Sequence, residues 1–143
     1  MPSFSKKSKA LLEQCHPDLQ LVLNTAIDII DFTILDSTIR TLEQQKQFVK
    51  EGKSKTLNSK HLKKFVTKYN KEYSFAADCC PYPIDWNDRE RFCLMAGIIL
   101  GITKVLKDEG LIKSNIVWGG DWNKNNITKD EKFSDCPHFE IKD

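Results

Sequence analysis

Apolar positions along the chain alternate between two spacings. Behind Pro17, the residues Leu19, Val22, Leu23, Ala26, Ile27 and Ile30 recur three or four apart, which predicts an amphipathic helix opened by the proline. The β-branched and aromatic run "DFTIL" predicts a strand over 31–35. "TLEQQKQFVKEG" follows, a short helix stopped by Gly52, and then the polar loop "GKSKTLNSKH". "SFAADC" predicts a second, buried strand. Asn87 or Asp88 caps the longest helix, in which Phe92, Met95, Ala96, Ile99, Ile102 and Leu106 form one stripe ending at Gly110. "NIVWGGDW" predicts a strand running into a turn, "NKNNITKDEK" a loop and "HFEI" a last strand. No repeat or linker interrupts the series. The expected class is α+β, with helices packed on a small, mainly antiparallel sheet in a single domain over 1–143.

Composition narrows the picture. At 143 residues, with 40% apolar and 29% charged side chains, the chain is able to bury one hydrophobic core and does not resemble a disordered tail. A net charge of +2 gives no argument for a nucleic-acid partner. Lysines crowd the part before residue 72 and acids the part after it, so one face is mildly basic. Five cysteines, an odd number that includes the adjacent pair Cys79 and Cys80 and no CxxC, argue against a disulfide framework and for reduced thiols. The lysines near the start lead into "ALLEQCHPDLQ", which lacks the apolar run of a signal peptide. "FCLMAGIILGI" is too short to span a bilayer, so no integral membrane segment is expected.

The candidate chemistry rests on few side chains. A catalytic zinc takes three protein ligands and leaves a fourth position for water. His138 on the last strand and His61 in the polar loop are suitable donors. Asp78 ends the apolar "SFAAD" run, where a lone carboxylate is costly unless it is paired or bound to a cation. Taken singly, each has an ordinary alternative: a surface histidine, or an aspartate that caps a turn.

Together they resemble a known family. "SKH" at 59–61, "AAD" at 76–78 and "DCPHFE" at 135–140 are similar to the Ser-x-His, Ala-x-Asp and Asp-x-x-His motifs of peptidoglycan-cleaving zinc peptidases. These are the D-alanyl-D-alanine carboxypeptidases and, closer still, the phage L-alanyl-D-glutamate endopeptidases. "HPDLQLVLNTAI", "DFTILDSTIRTLEQQ", "IDWND" and "WGGDWN" resemble further segments of that family in the same order. The resemblance implies a hedgehog/D-Ala-D-Ala peptidase-like fold and one catalytic zinc on His61, Asp78 and His138. It implies Asp135 as general base, Arg40 as the cation that contacts substrate and steadies the oxyanion, and Ser59 as a substrate or site-bracing contact. The implied activity is that of a phage endolysin, monomeric, cutting peptidoglycan stem peptides. Such an enzyme is held in the host cytoplasm until lysis and then acts at the wall.

Glu140 shares a strand face with His138 by period-two alternation and is a candidate to orient that histidine. The chain departs from the family at 62–77, where "LKKFVTKYNKEYSFAA" replaces a short glycine-containing loop. With Lys63, Lys64, Lys68 and Lys71, the segment reads as a lid, a basic contact to the wall or a solvated excursion. "DWNKNNITKDE" gathers Asp121, Asn123, Asn125, Asp130 and Glu131, oxygen donors of the kind calcium takes, although without the pattern of an EF-hand. Cys79 and Cys136 flank the proposed ligands, but Cys79 and Asp78 point to opposite faces of a strand. The alternatives to an endopeptidase are a D-alanyl-D-alanine carboxypeptidase and a non-catalytic wall-binding module of the same fold.

Overall fold

Strand β1 (Phe32–Ile34), β4 (Ala76–Pro81), β5 (Asn115–Gly119) and β6 (Asp135–Lys142) form one sheet in the order β1-β4-β6-β5, antiparallel throughout. The structure, a computed structural model, describes residues 2–54, 56–126 and 135–142. Helices α1 (Lys6–Leu12), α2 (Pro17–Ala26), α3 (Leu42–Lys50) and α4 (Arg89–Asp108) complete the α+β architecture, with α4 touching α2, β4, β5 and β6. No helix among the described residues is long and apolar enough to cross a membrane.

The local sequence accounts for the helix ends. Thr41 and Gln44 form a reciprocal capping box at the start of α3, and Gly52 takes a φ of 77° just beyond its end. Asp88 caps α4, its carboxylate accepting the Arg91 N–H. His16 caps α2 by accepting the Asp18 N–H at Nδ1. The stripe of α4 is rotated slightly from expectation: Thr103 is buried and Ile102 only half-buried. The row 92, 95, 96, 99, 103, 106 keeps the helical period, and the Thr103 hydroxyl satisfies itself on the Ile99 carbonyl. Helix α1, with Ser5 as its cap, is too short for its apolar spacing to announce it.

Every residue of β4 is buried. Ala77 and Cys79 enter the core with Leu19, Leu23, Met95, Ile99, Ile116 and Phe139, each such large side chain contributing ~1.5–3 kcal/mol by leaving water. Asp78, between Ala77 and Cys79, faces the other way. Register therefore decides which β4 residue looks out of the core, and Asp78 pairs directly with His138 of β6.

The segment after His61 is folded. Strands β2 (Lys64–Val66) and β3 (Lys71–Tyr73) make a separate hairpin, turning through a 3-10 turn at Thr67–Tyr69 and Asn70 at φ 51°. Its base is closed by the Phe75 N–H on the Lys60 carbonyl at 2.9 Å. The rings of Tyr69 and Phe75 lie 5.9 and 5.2 Å from that of His16, docking the hairpin on the start of α2.

Candidate metal centre and active-site cleft

The cross-strand pair Asp78 and His138 is joined by His61, which arrives from the loop before the hairpin. A tight turn presents His61, with the Ser59 hydroxyl accepting the His61 N–H at 3.1 Å. Three atoms converge: His61 Nε2 lies 3.0 Å from His138 Nδ1, and these lie 3.3 and 3.4 Å from Asp78 Oδ1. All three residues are buried. Among the described residues this is the one group of three metal-ligating side chains.

Outer partners decide which ring nitrogens face inward. His61 Nδ1 donates to the Thr38 carbonyl at 3.0 Å, which leaves Nε2 bare. His138 Nε2 donates to Glu140 Oε1 at 2.8 Å, which leaves Nδ1 bare. Asp78 Oδ2 accepts from the Ser37 hydroxyl at 2.5 Å and from Arg40 Nη2 at 3.1 Å. Asp78 Oδ1, by contrast, is buried and accepts no hydrogen bond. Three lone pairs aimed at one point repel one another unless a cation lies between them. The edges of 3.0–3.4 Å match a tetrahedron with arms of ~2.0–2.1 Å, the zinc–nitrogen and zinc–oxygen distance, whose edge is ~3.3 Å. The donor set fits a divalent metal.

Electrostatics agree. Burial would raise the Asp78 pKa, but the two histidines outweigh it and hold the carboxyl well below the usual carboxylate range. Burial opposes charge on His138, yet the carboxylates of Asp78 and Glu140 beside it bring its pKa up to about 9. In the absence of a cation, a proton on His138 thus meets the same need.

A cleft of about 270 Å³ opens on the triad and is lined by Arg40, Lys60, Trp122, Asp135 and Glu140 among others. Asp135 begins β6 and is partly buried. Burial, reinforced by the charge of Asp78, raises its pKa, against a smaller opposing pull from His138, His61 and Arg40. A carboxyl tuned upward beside a metal position is suited to receive and release a proton. Gly119 opposes Asp135 at a bulge, and a Cβ there would stand 2.1 Å from the Asp135 carbonyl oxygen. Only glycine permits this close approach. The Trp122 ring lies 5.3 Å from that of His138.

Arg40 lines the cleft, and each of its three nitrogens already donates once to the protein: Nε to the Ser37 carbonyl, Nη1 to Gln45 Oε1 and Nη2 to Asp78. Its guanidinium also sits 4.7 Å from the centre of the Phe48 ring. Ser37, Thr38 and Gln45 are thus site residues that the sequence reading did not single out. The polar run "DST" just before "IR" was the available signal for the first two. Gln45, the one fully buried residue of α3, gave none.

Other candidates lie elsewhere. The Asp121 carboxylate accepts from the backbone N–H groups of Asn125 and Asn126 and caps a turn with Asn123, while Asp130 and Glu131 fall outside the described residues. Cys79 sits in the core, with burial pushing its thiol far above its ordinary pKa, and Cys136 receives Arg89 Nη1 at 3.0 Å. Neither belongs to the triad. A larger cavity of about 940 Å³ between α4 and β5 contains none of the triad.

No curated protein matches the chain. Among solved structures, the L-Ala D-Glu endopeptidase ChiX of Serratia marcescens has a similar fold: a TM-score of 0.69 at 22% identity, over 99% of this chain and 91% of that one. The family model described as phage L-alanyl-D-glutamate peptidase matches residues 2–142. With a match over nearly its whole length, the chain belongs to the phage L-alanyl-D-glutamate peptidase family.

Proposed function

We propose that this peptidase is a single-domain, zinc-dependent endolysin that cuts the L-alanyl–D-glutamate bond of peptidoglycan, with His61, Asp78 and His138 as zinc ligands and Asp135 as general base. The observation that carries the reading is the set of three bare donor atoms around one point, with Asp135 on the wall of the same cleft. Zinc held there supplies a water of lowered pKa (~7) and polarises the scissile carbonyl. The protein does the rest. Thr38 and Glu140 fix the two imidazoles, while Ser37 and Arg40 hold Asp78 so that only Oδ1 faces the site. Asp135 takes a proton from the attacking water and passes it to the leaving amine of D-glutamate.

Arg40 brings a permanent positive charge to the cleft wall, where it contacts substrate and the developing oxyanion in addition to bracing Asp78. Ser59 sets the turn that presents His61 and meets substrate at the cleft rim. The enzyme acts as a monomer, kept from its substrate in the host cytoplasm until lysis brings it to the wall. Calcium is a second candidate cation, at the turn headed by Asp121.

The test is digestion of purified peptidoglycan by zinc-loaded protein, followed by mass analysis. The wild type is expected to release fragments with new L-alanine carboxyl ends. Asp135→Ala is expected to retain zinc and lose ~10²–10⁴-fold in turnover. Release of D-alanine alone would replace this reading with a carboxypeptidase, and stoichiometric zinc without any cleavage would replace it with a wall-binding module.

A further inference from the structure

Among the cations that line the cleft, one has no hydrogen-bonded or ion-paired partner among the described residues. Arg40 is held by Asp78, Gln45 and Ser37, and His138 is bonded to Glu140. Lys53 is exposed, within 3.5 Å of Glu51. Lys60 is half-buried, lines the cleft and stands next to His61, yet its ammonium makes no hydrogen bond or ion pair among the described residues. Its backbone is pinned, since the Lys60 carbonyl accepts the Phe75 N–H at the hairpin base. A cation held on a fixed backbone beside His61, felt by Glu140 at a distance but bonded to no protein group, is placed to receive an anion from outside the protein.

The substrate class named by the family provides one. D-glutamate has two carboxyl groups; one continues the peptide stem and the other stays free. When the stem continues through the side chain, the free carboxylate lies on the carbon attached to the scissile nitrogen. It is therefore within a lysine's reach of the metal position. We infer that Lys60 is the subsite for this free carboxylate and sets the preference of the enzyme for D-glutamate over its neutral carboxamide form. The inference rests on the endopeptidase reading above. It differs from the roles of Arg40 and Asp135 in acting on substrate choice and not on the reacting bond.

The test compares two synthetic stem peptides that differ only in having a free carboxylate or a carboxamide on the D-glutamate residue, using zinc-loaded enzyme. Wild type is expected to favour the carboxylate about ten-fold in kcat/KM, as a charged hydrogen bond in a half-open cleft would give. Lys60→Met should collapse that preference through KM, and Lys60→Arg should keep most of it. Zinc content and Tm of Lys60→Met should match wild type, which separates a subsite from a structural role. Equal cutting of both peptides by wild type, or equal losses on both in Lys60→Met, would overturn the inference. Failure of wild type to cut either peptide while it cuts another stem bond would overturn the endopeptidase reading, and this subsite with it.

Discussion

Replacing Arg40 with methionine separates two tasks that the residue performs in this reading. If it braces the metal centre, Arg40→Met leaves Asp78 Oδ2 with Ser37 alone and strips a partner from the fully buried Gln45. The Arg40–Asp78 pair is 3.1 Å long, with side-chain exposures of only 12% and 7%, so solvent screens it little. Breaking a buried pair from one side costs ~3–5 kcal/mol, because the Asp78 carboxylate and the Gln45 amide both stay buried with one partner fewer. For a chain of this size ~1 kcal/mol corresponds to roughly 3 °C, so Tm should fall by about 10–15 °C. The assay is thermal unfolding in excess chelator, which removes any contribution of bound metal. Arg40→Lys restores the charge but not the planar fork and should recover only part of the loss. A Tm within about 2 °C of wild type, together with a raised KM, would refute the bracing argument and leave Arg40 a substrate contact only.

Glu140→Ala removes the acceptor that holds His138 Nε2–H at 2.8 Å, so zinc affinity measured by chelator competition should fall ~10–100-fold with KM unchanged; no change in affinity would show that the pairing does not orient the ligand. Zinc binding should also depend on pH. The His138 pKa of about 9 in the metal-free site means that a proton must leave before the metal binds, so affinity should rise about ten-fold per pH unit up to ~9 and then level off. A flat profile between pH 7 and 8.5 would contradict this. By the same shift, His138 stabilises the metal-free protein fully below its ordinary pKa and ceases to do so as pH rises through about 9. Gly119→Ala would force a Cβ against the Asp135 carbonyl, costing ~1–3 kcal/mol and lowering kcat while zinc content holds; an unchanged Tm and kcat would show that the bulge yields freely.

Much of the centre was legible because its spacing is tied to regular structure. Asp78 and His138 lie on strands whose alternation sends Ala77, Cys79 and Phe139 to the core, and the same period put Glu140 beside His138. His61 was legible only through its motif, since nothing in a polar loop announces a buried histidine. The braces were not legible, for a different reason. Ser37, Thr38 and Gln45 reach Asp78, His61 and Arg40 through tertiary contacts, and no local period encodes those. The hairpin escaped notice because Lys63, Lys64, Lys68 and Lys71 obscure the alternation of its strands; Asn70 at a left-handed turn was its one local sign.

The closed base of that hairpin bears on how the chain tolerates change. Because the Phe75 N–H already meets the Lys60 carbonyl, the approach of the chain to His61 and its departure toward Asp78 are fixed below the hairpin. Whatever is strung between those two residues adds loop-closure entropy that grows only with the logarithm of length. The long interval between His61 and Asp78 is therefore a permissive splice point. Here sequence can be lengthened, shortened or exchanged for a foreign binding element, while His61 and Asp78 keep their positions.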